Sequence, residues 1–156
     1  MAPPIKELLI LNLDLAFDRV AWHGPNLIGS LRGVSAKQAA VRVKNRRSIW
    51  EQVLHCAYWK QRVLNKLAGT QRFPRQGSNW PIVPKLTSET LWKSDLQLLR
   101  DIHTSLRHAL LQLDEKRLND ATTVKTVLGA AAHDTYHAGQ IRLIRRMLGL
   151  VRKSSD

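Results

Sequence analysis

Apolar residues recur every three or four positions over four long stretches of the chain, separated by intervals rich in Gly, Pro or charge. From about Ile5 to Trp22, residues Ile5, Leu8, Leu9, Leu15, Ala16 and Val20 fall at helical spacing, while Lys6, Glu7, Asp14 and Asp18 fall mostly elsewhere around the wheel. Gly24-Pro25 bends or ends this first helix, with a short continuation through Leu31 that Gly33 closes. Ser35 opens a single turn over Ala36 to Ala40, and Lys44 to Arg47 form a polar link. Ser48-x-x-Glu51 is a capping box, so a second helix starts there and runs to about Leu67, before Gly69. Its inward stripe reads Val53, His55, Trp59, Val63 and Leu67. Thr87 or Ser88 caps a third helix, whose apolar stripe is Leu91, Leu98, Ile102, Ala109 and Leu113. After a short charged turn from Asp114 to Ala121, Thr122 or Thr123 caps a fourth helix that extends to about Leu150. The pattern predicts an all-α protein.

The interval from Gly69 to about Leu86 holds Pro74, Pro81 and Pro84, a density that excludes a helix. It is longer than the two to eight residues that commonly join neighbouring bundle helices. Extended at about 3.3 Å per residue, it can cross the length of a ~30 Å helix and let the second and third helices run parallel. Phe73 and Trp80 in it need a place to pack, either over the mouth of the helices or within the loop itself.

At 156 residues the expectation is a single domain over residues 1–156, and 44% hydrophobic residues suffice for a core. A lone Cys56 cannot form an internal disulfide. No signal-like stretch and no run of about 18 apolar residues occurs, so a soluble cytoplasmic protein that does not enter a membrane is expected. The formal charge of +13 attracts anions of any kind. Its carriers are scattered, however, with Arg42, Lys44, Arg46 and Arg47 in one link and Arg142, Arg145, Arg146, Arg152 and Lys153 near the end. No nucleic-acid-reading motif accompanies them, so they read as a solvated surface and no specific nucleic acid is expected.

The chemistry lies in the histidines. His133 and His137 are four apart, separated by about 40° of rotation and one helical turn, so both imidazoles can reach one cation. A third ligand must come from another element, and His55 stands near the middle of the second helix. Gly129, Ala130 and Gly139 keep the fourth helix thin, so that a neighbour can approach. His23 sits beside the Gly24-Pro25 break and is a remote candidate. His103 and His108, about 140° apart on their helix, cannot chelate together and read as surface or interhelical residues. Cys56 follows His55 by about 100° of rotation and reads as packing, not as a nucleophile.

His55-Cys-Ala-Tyr-Trp59, preceded by Ser48-Ile49-Trp50-Glu51, together with His133-Asp-x-Tyr-His137-Ala-Gly-Gln140, resembles the DinB/YfiT-like superfamily of metalloenzymes. Ala21-Trp22-His23-Gly24-Pro25-Asn26-Leu27 is similar to the first-helix segment of one of its branches. The resemblance implies an up-down-down-up four-helix bundle with a long Pro-rich connection between helices two and three. It also implies one divalent metal on His55, His133 and His137. Three imidazoles leave open positions, which suits catalytic zinc and also serves nickel, iron or manganese. Some members of that superfamily are thiol-dependent S-transferases. The expected function is therefore a metal-dependent transferase that activates a low-molecular-weight thiol, with that thiol as a small-molecule substrate. A metal-dependent hydrolase is the alternative, and a non-enzymatic basic binding module with structural histidines is a third. Gln140, Glu51 and Asp134 are the candidates to orient a ligand or act as base. Trp22, Trp50, Trp80 and Trp92 exceed what one small core easily hides, which suggests a homodimer.

Overall fold

In the computed structural model, which describes residues 4–150, Ser48 and Glu51 close their capping box. Ser48 Oγ accepts from the Glu51 N–H at 3.2 Å, and Glu51 Oε2 accepts from the Ser48 N–H at 2.8 Å. Seven helices follow one another among the described residues, and no strand does: α1 (Ile5–Phe17), α2 (Leu27–Leu31), α3 (Ala36–Ala40), α4 (Ile49–Ala68), α5 (Glu89–Leu111), α6 (Glu115–Leu118) and α7 (Ala121–Met147). The four long ones touch in a closed ring, α1 on α7, α7 on α4, α4 on α5 and α5 on α1. None of the described helices is long and apolar enough to cross a membrane.

Several boundaries differ from those the pattern predicts. α1 ends at Phe17 and not near Trp22, and Val20 and Trp22 are fully exposed. The chain turns there because Asp14 is buried and gathers Arg19 and Arg107, while Asn26 donates its side-chain amide to the Arg19 carbonyl. α5 starts after Ser88, which makes no side-chain cap, and neither does Thr87. α7 is capped by Asp120, whose carboxylate accepts from the Thr123 N–H at 2.8 Å, so Thr122 and Thr123 lie inside the helix. The turn before it contains α6, capped by Asp114. The buried face of α5 is Trp92, Asp95, Leu99, Ile102, His103, Leu106 and Leu110, one position on from the predicted stripe at three places. Trp92 sets that rotation: its indole packs 5.2 Å from Trp50 and donates to the Val34 carbonyl at 2.8 Å. Trp50 in turn donates to Asp95 Oδ2 at 2.7 Å, so both large aromatics are buried with their N–H groups satisfied.

Residues 69–88 contain no helix and are tied down at intervals. Arg75 grips Asp95 Oδ1 at 2.6 Å, Phe73 packs edge-on against Tyr58, and Asn79 and Trp80 reach α4. Two of the four tryptophans behind the dimer expectation, Trp50 and Trp92, are thus core residues. Trp80 is half-buried in the loop, and Trp22 alone of the four stands clear.

His103 is interhelical. Its ring stacks on Phe17 of α1 at 3.7 Å, and Nε2 stands 3.6 Å from Asp14 Oδ1. Despite that neighbour, burial, with the charges of Lys60 and Arg107 behind it, pushes its pKa down to about 3. The contact is therefore one between a neutral ring and a carboxylate. In the unfolded chain the same ring titrates near 6.5. Its folded value is depressed, so the unfolded state takes up the proton first and the stabilising contribution is complete only above pH ~6.5. Stability of the metal-free protein is expected to fall as pH drops below about 6.5, by up to ~1.4 kcal/mol per pH unit from this group. Urea titrations between pH 7.5 and 5 check this, and His103→Phe is expected to make the slope shallower by this group's share while the other buried histidines keep theirs.

Candidate metal centre

α4 and α7 pack against each other and bring His55, His133 and His137 to one place. His133 Nε2 lies 3.1 Å from His55 Nε2 and 3.1 Å from His137 Nε2. His55 and His137 are buried and His133 is half-buried. The convergence follows from the one-turn spacing on α7 and from a second position on α4. Gln52, three residues before His55, also projects toward α7 and meets His137.

The hydrogen bonds behind the rings decide which nitrogen carries a proton. His137 Nδ1 lies 2.5 Å from Gln52 Oε1, and His55 Nδ1 lies 2.5 Å from the backbone carbonyl of Asn79. Both oxygens only accept, so both Nδ1 atoms donate, and in the neutral rings both Nε2 atoms present bare lone pairs. His133 Nε2 faces the two of them and brings at most one N–H, enough for one neighbour. A cation that draws on all three lone pairs removes the conflict. Two nitrogens bound at about 2.0–2.1 Å to a tetrahedral ion stand roughly 3.3 Å apart, a few tenths of an ångström from the separation seen here. Burial, followed by the charges of His55 and Lys60, lowers His133 to about 4, and burial with the two other rings lowers His137 to about 3. Burial also lowers His55. All three are neutral at pH 7, the form that ligates a metal. The donor set fits a divalent metal.

The 69–88 segment roofs this triad. Trp80 stacks on His55 with ring centres 3.9 Å apart, and the Arg47 guanidinium lies 4.9 Å from the Trp80 ring centre. Asn79 Oδ1 accepts from Trp59 Nε1 at 2.9 Å, and its backbone is left-handed with φ of 57°. A non-glycine residue held there carries strain, here compensated by two hydrogen bonds that aim its carbonyl at His55. Trp80 also lines a cleft of about 370 Å³ with Arg42, Arg47 and Glu51.

Among the three candidate catalytic residues, Glu51 is fully engaged. Burial raises its pKa, but Arg42, the Ser48 N–H and Arg47 outweigh that and hold it at about 2. Arg42 bonds both of its oxygens and Arg47 one. Asp134 is buried and receives Lys60 Nζ on Oδ2 at 2.5 Å, while its Oδ1 finds no partner among the described residues. Burial pushes its pKa up to about 6 against the pull of Lys60. Gln140 is half-buried, one turn beyond His137. Cys56 is fully buried, and burial together with Asp134 pushes its thiol up, out of the reactive range. Its sulfur does lie within 4.8 Å of ligand atoms of His133 and Asp134, so it does not point away from α7. His23 and His108 are exposed and outside the triad. Gly129 and Gly139 are exposed too, so they do not make room for α4. Of the basic groups, Arg42 and Arg47 serve Glu51 and Arg145 donates to the Ser30 carbonyl, while Arg152 and Lys153 lie outside the described residues.

Sequence reasoning missed Gln52, the Asn79 carbonyl and the Lys60–Asp134 pair, and it left open whether Trp80 covers the helices or packs in its loop. Only Gln52 left a signal, as a polar residue one turn before His55 on a helix face that is otherwise apolar. Gln52→Leu leaves His137 Nδ1 without its acceptor and frees the tautomer. Loss of such a partner typically lowers metal affinity 10–100-fold, and a chelator competition titration with zinc is expected to show a weakening of about that size, with helicity kept.

No curated protein and no solved structure matches the chain. A profile of the DinB superfamily matches residues 20–141, which takes in α2 through the His133/His137 turn of α7. On that span and its histidine cluster, the chain belongs to the DinB superfamily.

Proposed function

We propose that this chain is a single-domain, mononuclear metal-dependent enzyme on an up-down-down-up four-helix bundle, with His55, His133 and His137 as ligands. The observation that carries the reading is the tautomer arrangement: Gln52 and Asn79 take the Nδ1 protons, so that lone pairs of His55 and His137 converge on His133. Zinc suits three neutral imidazoles best, and nickel, iron or manganese would also be accepted. A divalent cation held there supplies Lewis acidity and lowers the pKa of a thiol or water that joins it.

The leading reaction is transfer to a low-molecular-weight thiol. What favours it over hydrolysis is that, among the described residues, no carboxylate beside the triad is free to act as a base. Glu51 is locked by two arginines, and Asp134 is buried under Lys60. A thiol ionises outright on a metal, whereas water starts from a pKa near 15.7 and profits more from a base. The chain's own groups then have simple tasks. The three histidines fix the reacting centre, and Trp80 shields the exposed side of His55 from water. Gln140, half-buried one turn beyond His137, is our candidate to orient a bound substrate. Arg42 and Arg47 carry one more positive charge than Glu51 cancels, which leaves the neighbouring cleft attractive to anions. Zinc-loaded protein assayed with small thiols and an electrophilic acceptor, beside ester and amide substrates, is expected to consume thiol and acceptor in equal amounts. Turnover of esters or amides without thiol would instead make the chain a hydrolase.

A further inference from the structure

α2 packs on α7 and α1, whereas α3 packs on α5, and between α2 and α5 a cleft of about 500 Å³ stays open. Sites for small organic ligands run from about 300 to 1,000 Å³. The cleft shares no residue with the histidine triad or with the smaller cleft beside Trp80. Its walls are held in place by hydrogen bonds. Gly33, with φ of 70°, turns the chain after α2 so that the Val34 carbonyl accepts from the Trp92 indole at 2.8 Å. Glu89 Oε1 accepts from the Ala36 N–H at 2.7 Å, which ties the start of α3 to the first turn of α5. The inner surface is apolar and comes from Ile28, Leu31, Val34, Trp92 and Leu96.

The rim is charged. Arg32 at the end of α2 and Lys93 and Arg100 on α5 line the cleft and are exposed. Lys93, Leu96 and Arg100 share one stripe of α5, so the two cations stand about 10 Å apart along the helix with the leucine between them. Among the described residues, none of the three cations makes an ion pair or a side-chain hydrogen bond. Arg42 and Arg47, in contrast, are both held by Glu51. Two carboxylates also line the cleft, Asp18 and Glu89, so three cations against two carboxylates leave a net charge of +1. Glu89 already serves the Ala36 N–H and lies about 16 Å along α5 from Arg100. Free cations above an apolar surface match a ligand built in the same two parts. We propose that the cleft between α2 and α5 binds an amphipathic organic anion, one carboxylate or phosphate head on a short apolar tail. The head lies among Lys93, Arg100 and Arg32, and the tail rests on Leu96, Leu31 and Ile28. This site needs no metal.

Isothermal titration calorimetry with octanoate and with octyl phosphate tests it. At least one of the two is expected to bind with one molecule per chain, and the tighter of them names the head group. Acetate, which lacks the tail, and octanol, which lacks the charge, are each expected to bind about tenfold more weakly or worse. Added salt is expected to weaken binding of the anion. Lys93→Glu/Arg100→Glu, at two exposed positions, is expected to lose binding with an unchanged circular dichroism spectrum, and the milder Lys93→Gln/Arg100→Gln to weaken it roughly tenfold. His133→Ala and Arg47→Gln are expected to bind as the wild type does, which separates this cleft from the metal centre and from the cleft beside Trp80. Failure of both octanoate and octyl phosphate to bind at millimolar concentration overturns the proposal. So does binding that survives Lys93→Glu/Arg100→Glu, binding lost in His133→Ala or Arg47→Gln, or octanol that binds as well as the anions.

Discussion

His133→Ala and His137→Ala are each expected to abolish stoichiometric metal binding while leaving the fold in place. Each removes one of three ligands at a site where His133 Nε2 already stands 3.1 Å from both other Nε2 atoms, and two remaining imidazoles cannot hold the ion at micromolar concentration. The fold survives because its core lies elsewhere. Trp50, Trp92, Leu54, Leu99 and Leu106 are buried without any part in the triad. Alanine is also the better helix former at mid-helix. This separates the chain from zinc fingers, which are unfolded without metal. Thiol transfer is expected to vanish with the metal in both variants. The check is circular dichroism and metal content on the same samples. Unfolding with the metal retained would mean that the histidines hold α4 and α7 together by hydrogen bonds, and the basic binding module would then be the better account.

Asp134→Ala is expected to be the most destabilising single substitution near the site, by about 3–5 kcal/mol, because it strands Lys60 as an unpaired charge in the core. Lys60 and Asp134 are 2% and 0% exposed, and among the described residues no other carboxylate pairs with the Lys60 ammonium. The partial compensation is Phe17, whose ring centre lies 5.0 Å from Nζ. The double variant Lys60→Met/Asp134→Leu is expected to recover most of the loss, since a well-packed apolar pair often equals a buried ion pair. Denaturant midpoints of the two variants decide it. An Asp134→Ala protein of native stability that lacks only activity would restore the carboxylate to a catalytic role and contradict the structural one.

The elements legible in the sequence were those with local causes. Ser48 and Glu51 announce the start of α4, Gly69 its end, and the prolines from Pro74 to Pro84 the break before α5. The His133/His137 pair is local too, since one turn of α7 fixes it. What escaped depends on contacts far apart in the chain. The end of α1 is set by Asp14 drawing in Arg107 from α5, which no local pattern shows. The rotation of α5 is set by Trp92 finding Trp50 and the Val34 carbonyl. The proton positions on the triad depend on a backbone carbonyl at Asn79, in a loop whose course composition does not specify. Gly129 and Gly139 were read as making room for α4, but a glycine carries no sign of which side of a helix is approached.

The claim on which the rest depends is that His55, His133 and His137 hold one divalent metal, and metal analysis of the purified protein by mass spectrometry tests it most directly. After incubation with zinc or nickel and removal of the excess, the account predicts close to one metal per chain, lost in His55→Ala, His133→Ala and His137→Ala alike. Well-folded wild-type protein that retains no stoichiometric metal would contradict it.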